Sequence, residues 1–279
     1  MSIKIVTDST CDLPESVVVE NGITVIPCYI NMNGRSYLDG VELSRQVFYE
    51  SLPGLSSVPT TSAPGLGTFV QVYKQLVAEG ASGIISVHIS ASLSNVSNVA
   101  SLAAQQISAV PVMVFDSGQL TLGTGLLALA AAKAAASGSS MEEIVALLKG
   151  MALRVYTFAA LDTLEYLRRG GRISGLQNRL GTLLQIKPLL KMHDGKIAFE
   201  RARTYGKSIR RLISFVSDLG PLEQLSLVHT HAPHKVEGLR QQAQHLFPPG
   251  KAPLCVEVTP AIGAHTGPGA VGFICVTAG

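Results

Sequence analysis

The chain has 279 residues, with 22 Lys and Arg against 19 Asp and Glu for a net charge of +3; 47% is apolar, 15% is charged, and there is no Trp. That length suits one large or two medium domains, and a positive mean hydropathy with so few charges excludes a disordered chain. The four cysteines form no C-x-x-C pair, which fits free thiols in a reducing compartment and excludes a disulfide scaffold.

The opening Met-Ser-Ile-Lys-Ile-Val-Thr enters a strand pattern without an apolar leader. The longest greasy stretch, 126–136, is interrupted by Lys133 and falls short of the roughly 20 residues of a membrane span. A cytoplasmic protein is expected. Residues 3–6 form a short strand that runs into Thr7-Asp8-Ser9-Thr10-Cys11-Asp12-Leu13-Pro14, a small polar loop of the kind found at the carboxyl edge of an α/β sheet. Asp8 or Asp12 is expected to cap the helix after Pro14, in preference to binding a metal or acting as a phosphoenzyme nucleophile. A second strand is expected over 23–30 and a hairpin at 31–34. In Val58-Pro59-Thr60-Thr61-Ser62-Ala63-Pro64, Pro64 suits a first helical turn, and Phe69, Val72, Tyr73 and Leu76 follow at helical spacing. Thr60, Thr61 and Ser62 then crowd a helix start that needs only one hydroxyl as its cap.

Residues 83–89 read as a buried parallel strand. They lead into Ser90-Ala91-Ser92-Leu93-Ser94-Asn95-Val96-Ser97-Asn98 and an alanine-rich helix over 99–107. A negative group is favoured at such a helix start. The stretch lacks the glycines and lysine of a P-loop, so nucleotide phosphate is not the favoured anion, and an ordinary cap with surplus serines is the alternative. A strand over 110–115 ends in Asp116-Ser117. Helices follow over 122–137 and 141–153, the second capped by Ser139 or Ser140. Repeated strand–helix alternation predicts an N-terminal, doubly wound, mainly parallel α/β domain over 1–155.

From 156 the pattern changes to a C-terminal α+β domain over 156–279 with a mixed or antiparallel sheet. It contains a strand at 156–160, a capping box at Asp162-Thr163-Leu164-Glu165 opening a helix that ends in Arg168-Arg169-Gly170-Gly171, and an apolar run over 183–190. A hairpin at Asp194-Gly195, strands over 225–228, 254–258 and 271–276, and helices over 208–218 and 234–246 complete it. Between Arg168 and Arg211 twelve Lys or Arg stand against Asp194 and Glu200, a net +10 that leaves −7 elsewhere, so one part is expected to meet something anionic. The segment has few aromatics and no nucleic-acid-binding motif, and nucleic acid is not the expected partner. His229-Thr230-His231 has the H-x-H of zinc sites without a further evident ligand, and no metal is expected.

The stretch from Ile262 to Phe273 holds four glycines and a proline between two strand patterns and reads as a tight connection. His265 and Thr266 are its only hydrogen-bonding side chains. An imidazole there, beside exposed N–H groups, suits a carboxylate; a plain hairpin turn with an incidental histidine is the alternative.

Taken in order, several of these stretches resemble the DegV family of bacterial proteins, and the resemblance covers essentially the whole chain. They are Ile5-Val6-Thr7-Asp8-Ser9-Thr10 with Asp12-Leu13-Pro14, Pro59-Thr60-Thr61-Ser62-Ala63-Pro64, 90–95, Asp116-Ser117, Arg169-Gly170-Gly171-Arg172-Ile173-Ser174, Ile186-Lys187-Pro188 and Gly263-Ala264-His265-Thr266-Gly267-Pro268-Gly269. The resemblance implies a long-chain fatty acid bound between two α/β domains, with no cofactor. It further implies presentation of the carboxylate to a separate, ATP-using fatty acid kinase subunit, with room for transient contact with a membrane surface. By the same resemblance Thr61 and Ser94 contact the carboxylate, His265 supports them, and Arg172 lies near the mouth. Asn95 stands where the family usually has glycine, so at the headgroup site its side chain either crowds the backbone approach or supplies an extra donor to the ligand. The competing reading is a stand-alone hydrolase or acyl or phosphoryl transferase with Ser94 as nucleophile and His265 as base. Ser94 lacks a G-x-S-x-G elbow and His265 lacks an evident orienting acid, so a carrier without catalytic residues is favoured.

Overall fold

The computed structural model describes residues 2–55, 57–172, 186–250 and 252–279. The chain opens with β1 (Ile3–Asp8), a 3₁₀ turn over Ser9–Cys11, α1 (Glu15–Glu20), β2 (Ile23–Ile26), β3 (Tyr29–Met32), β4 (Arg35–Leu38), α2 (Arg45–Ser51) and β5 (Thr60–Ser62). It continues with α3 (Leu66–Ala78), β6 (Gly83–His88), α4 (Val96–Ala104), β7 (Val112–Asp116), α5 (Leu122–Ala136) and α6 (Met141–Ala152). Then come β8 (Val155–Ala160), α7 (Glu165–Arg169), β9 (Lys187–His193), β10 (Lys196–Ala202), α8 (Tyr205–Ser217) and β11 (Leu222–His229). The chain closes with α9 (Pro233–Gln242), β12 (Cys255–Glu257), α10 (Pro260–Thr266) and β13 (Val271–Thr277).

The expected two-part α/β architecture is present. One sheet has the order β2-β1-β6-β7 with every pairing parallel, and another has the order β10-β9-β8-β13-β11-β12, antiparallel except for β11 with β12. Because β1 is flanked by β2 on one side and β6 on the other, the connections leaving β1 and β6 diverge. That makes a crevice at their carboxyl ends, the place where open α/β sheets bind ligands. The mixed sheet is covered on both faces. Along β13, Phe273 and Cys275 face a core shared with α8 and α9, while Ile274 and Val276 face the core of the parallel sheet, as the two-residue period of a strand requires.

Four sequence expectations change. The strand expected over 23–30 breaks at Pro27, which has no N–H for the ladder, and β3 leaves to form a third sheet of order β4-β3-β5. Thr60, Thr61 and Ser62 lie on β5, not at a helix start: Thr61 pairs with Ile30, and α3 begins only after Gly65. The box at 162–165 does not cap α7. Asp162 is drawn off to Lys187 and Lys235 at 2.9 and 2.8 Å, while Thr163 receives the Glu165 N–H. Finally, the glycine-rich stretch is no hairpin turn. Residues 260–266 are helical, and the strands on either side, β12 and β13, do not pair with each other but flank β11. Ile173, Ser174 and the start of the 183–190 run lie outside the described residues.

Candidate functional site

A cavity of about 170 Å³ opens at the crevice between the carboxyl ends of β1 and β6 and helix α10. Leu93, Leu120, Leu190, Ile197 and Ile262 supply apolar wall, and Thr61, Ser94, Asn95, Arg172 and His265 all reach its lining. The five residues singled out from the sequence therefore share one cavity, although they come from β5, the turn after β6, the turn after α7 and α10.

Thr61 is fixed by the ladder of β5 with β3, and its Oγ1 lies 2.8 Å from His265 Nε2, a contact between residues 204 apart. His265 sits in the last turn of α10. Its Nδ1 is buried without a hydrogen-bond partner and faces Gly170, whose missing side chain makes the room. Burial, helped by the nearby Arg172 charge, pushes the imidazole down to about 4, so it is neutral near pH 7. In a neutral ring the tautomer protonated at Nε2 donates to Thr61 Oγ1 and leaves the Thr61 hydroxyl proton free to point into the cavity. Arg172 is anchored by Nη1 donating to the Gly170 carbonyl at 2.7 Å.

Ser94 lies in the turn after β6, where the Leu93 and Ser94 N–H groups both donate to the Ser90 carbonyl. Asn95 occupies the N-cap position of α4 at φ −84°, ψ 6°, a conformation open to any residue, and its side-chain carbonyl accepts from Asn98 Nδ2 at 2.8 Å. The backbone here does not demand the family's usual glycine. Among the described residues, no hydrogen bond joins Ser94 to His265.

The sequence reading missed what the two early aspartates do. Asp8 caps the 3₁₀ turn and, with Ile89 N–H, anchors the loops beneath the cavity. It also accepts the Thr10 hydroxyl and meets His88 Nδ1 at 2.8 Å, and His88 Nε2 meets Ser86 Oγ at 2.6 Å. This has the order of an Asp-His-Ser triad, but all three side chains are fully buried, none lines the cavity, and Ser86 Oγ also accepts from Tyr73. It is scaffolding for the loops after β1 and β6. Asp12 caps no helix of its own; it accepts the Thr259 N–H at 2.7 Å and the Thr121 hydroxyl at 2.5 Å. The signal was the run Thr7 to Asp12 itself, with its two aspartates and three hydroxyls.

Close by, Asp39 is 2% exposed, takes the Ser9 hydroxyl at 2.7 Å, and leaves its Oδ1 unpartnered next to an equally unpartnered Thr259 Oγ1. Burial pushes the Asp39 carboxyl up to about 7. A raised carboxyl means that the folded state keeps a proton the unfolded chain releases near pH 4, so stability is lost as pH climbs from about 4 to about 7. Asp39→Asn removes that dependence, and its amide can donate to Thr259. The variant is expected to be about 1–3 kcal/mol more stable than the parent at pH 8, with the gap closing by pH 4, in urea unfolding at both pH values. A gap that is the same at both pH values contradicts this.

Among the described residues no group of three potential ligands surrounds a metal position. His229 Nδ1 accepts the Ala232 N–H, and His231 is engaged by Glu257 at 3.0 Å while stacking on Tyr49. No helix among the described residues is long and apolar enough to cross a membrane.

The family described as "Uncharacterised protein, DegV family" has a model that matches residues 2–278. A DegV domain-containing protein of Streptomyces coelicolor is 37% identical over 276 residues, 98% of this chain and 97% of that one. Another from Deinococcus radiodurans is 38% identical over 283 residues, with the same coverage. Among solved structures, the fold matches a fatty-acid-binding DegV family protein from Thermus thermophilus with a TM-score of 0.91 at 34% identity, covering 100% of both chains. It also matches DegV of Bacillus subtilis, a fatty acid binding protein, with a TM-score of 0.89 at 31% identity over 99% of this chain and 100% of that one.

Proposed function

Since this chain belongs to the DegV family, we propose that it binds a long-chain fatty acid, with the acyl tail in the apolar cavity and the carboxylate at the Thr61–His265 end. The observation that carries this reading is the hydrogen-bonded Thr61–His265 pair in the lining of a cavity whose apolar wall includes Leu93, Leu120, Leu190, Ile197 and Ile262. A neutral His265 gives its Nε2 proton to Thr61, and the Thr61 hydroxyl gives its own to the carboxylate. Ser94 adds a second hydroxyl, Asn95 a neighbouring amide, and Arg172 a cation at the rim. Each buried methylene of the tail contributes about 0.8 kcal/mol.

On this reading 1–155 supplies Thr61, Ser94 and Asn95, and 156–279 supplies Arg172 and His265, so the ligand lies between the two domains. A carboxylate held by hydroxyls and a neutral imidazole stays more reactive than one locked in a full ion pair. The protein then acts as a cytoplasmic carrier with no chemistry of its own, presenting the headgroup to a separate ATP-using kinase subunit. Hydrolysis by Ser94 finds less support, because His265 Nε2 is committed to Thr61 and no bond links it to Ser94.

Native mass spectrometry of the purified chain tests this. The expected spectrum contains a one-to-one complex with a long-chain fatty acid, either carried through purification or formed on adding palmitate or oleate. A spectrum showing only the free chain after both treatments overturns the proposal.

A further inference from the structure

Helix α10, which carries His265, has no cap of its own: the Thr259 side chain makes no capping bond. Its entry is held from outside. Asp12 accepts the Thr259 N–H at 2.7 Å, and Tyr49 donates its hydroxyl to the Val258 carbonyl at 2.9 Å. Asp12 also accepts the hydroxyl of Thr121, which precedes α5 and directly follows the cavity-lining Leu120. Arg45 Nη2 stands 3.5 Å away as counter-charge. Asp12 itself is 1% exposed and sits at φ 54°, a left-handed conformation that costs a non-glycine residue about 1 kcal/mol or more. One carboxylate therefore ties the loop after β1 to the starts of both α5 and α10.

We infer that Asp12 is a positioning residue for the headgroup site, setting through α10 the place where His265 meets Thr61. The lever arm explains the sensitivity. Six residues of helix separate Thr259 from His265, about 9 Å at 1.5 Å per residue, so a tilt of about 10° about Thr259 moves His265 by about 1.5 Å. That is enough to lose a hydrogen bond of 2.8 Å. Asp12 touches none of the ligand-facing groups and lines no part of the cavity. Its effect on binding has to pass through the helix.

The inference rests on the fatty acid reading, and a double-mutant cycle separates the two. The probe is cis-parinaric acid, a fluorescent long-chain fatty acid, titrated against the full chain, Asp12→Ala, His265→Ala and the double variant. Asp12→Ala is expected to raise Kd about tenfold in the parent and less than about twofold when His265 is already alanine. Asp12→Asn, which keeps an acceptor for Thr259 and tolerates the left-handed backbone at 12 better than alanine does, is expected to lose about threefold, again only with His265 present. An unchanged Kd in the Asp12 variants, or the same loss in both backgrounds, overturns the positioning role while leaving the fatty acid reading standing. A parent chain that does not bind the probe overturns both.

Discussion

Thr61→Val is expected to weaken binding of a long-chain fatty acid by about ten- to a hundred-and-fiftyfold, with little change in fold. The side chains are nearly isosteric, and a β-branched residue suits the short strand that pairs with Ile30. On the proposed reading, what disappears is one hydroxyl with two duties: donating to the carboxylate and pairing with His265 Nε2. A hydrogen bond to a charged group contributes about 1.5–3 kcal/mol, which sets the range given. His265 is then left with neither ring nitrogen partnered, since its Nδ1 has no partner already. The stability cost of that should stay near about 1–2 kcal/mol. Displacement of cis-parinaric acid by palmitate, with urea unfolding alongside, measures both quantities. An affinity within about threefold of the parent means that the carboxylate does not sit on Thr61.

Local chemistry explains which parts of this fold were legible. The hairpins at Asn33-Gly34 and Asp194-Gly195 were readable because each pair takes positive φ at both residues, 52° and 73° in the first and 48° and 69° in the second, the requirement of a type I′ turn. The Ser140 cap was readable because Glu143 completes the box three residues on. The parallel sheet showed in β6, buried along its full length between polar turns.

The misread elements depend on partners far away in sequence. Pro-Ala-Ile-Gly-Ala-His-Thr is a weak helix signal: Pro260 suits a first turn and two alanines favour helix, but Gly263 sits inside only seven residues. Its stability is tertiary. Asp12 holds its first turn from 247 residues away, and Gly263 packs so closely on the Tyr49 ring that a β-carbon would lie 2.3 Å from the hydroxyl oxygen. The strand at Thr60–Ser62 likewise takes its identity from Asn31 and Ile30, thirty residues upstream. Motif order over the whole chain pointed to the family and to the five residues around the cavity. Only the fold could show that His265 bonds to Thr61 and not to Ser94, and that Gly170 backs the ring.

That backing gives the sharpest contrast between folding and binding. Gly170→Ala is expected to abolish most fatty acid binding, about as much as removing the imidazole, while leaving the protein folded. Gly170 ends α7 at φ −77°, ψ −1°, a conformation alanine adopts freely, so its backbone gives no reason for glycine. Its surroundings do. A β-carbon there would lie 2.4 Å from His265 Nδ1, well inside van der Waals contact. The Tyr166 carbonyl also lies 3.0 Å from that β-carbon and is backbone, so the His265 ring takes most of the displacement, and a 2.8 Å bond to Thr61 does not survive a shift of about 1 Å. Gly171 makes the opposite case. It has φ 70°, where alanine costs about 1 kcal/mol, and nothing lies within 4 Å of where its β-carbon would go. Gly171→Ala should therefore lower the urea midpoint and bind cis-parinaric acid as the parent does, whereas Gly170→Ala should keep the midpoint and lose the probe by more than about tenfold. If both variants bind equally well, His265 is not held where the headgroup needs it by the absence of a side chain at 170.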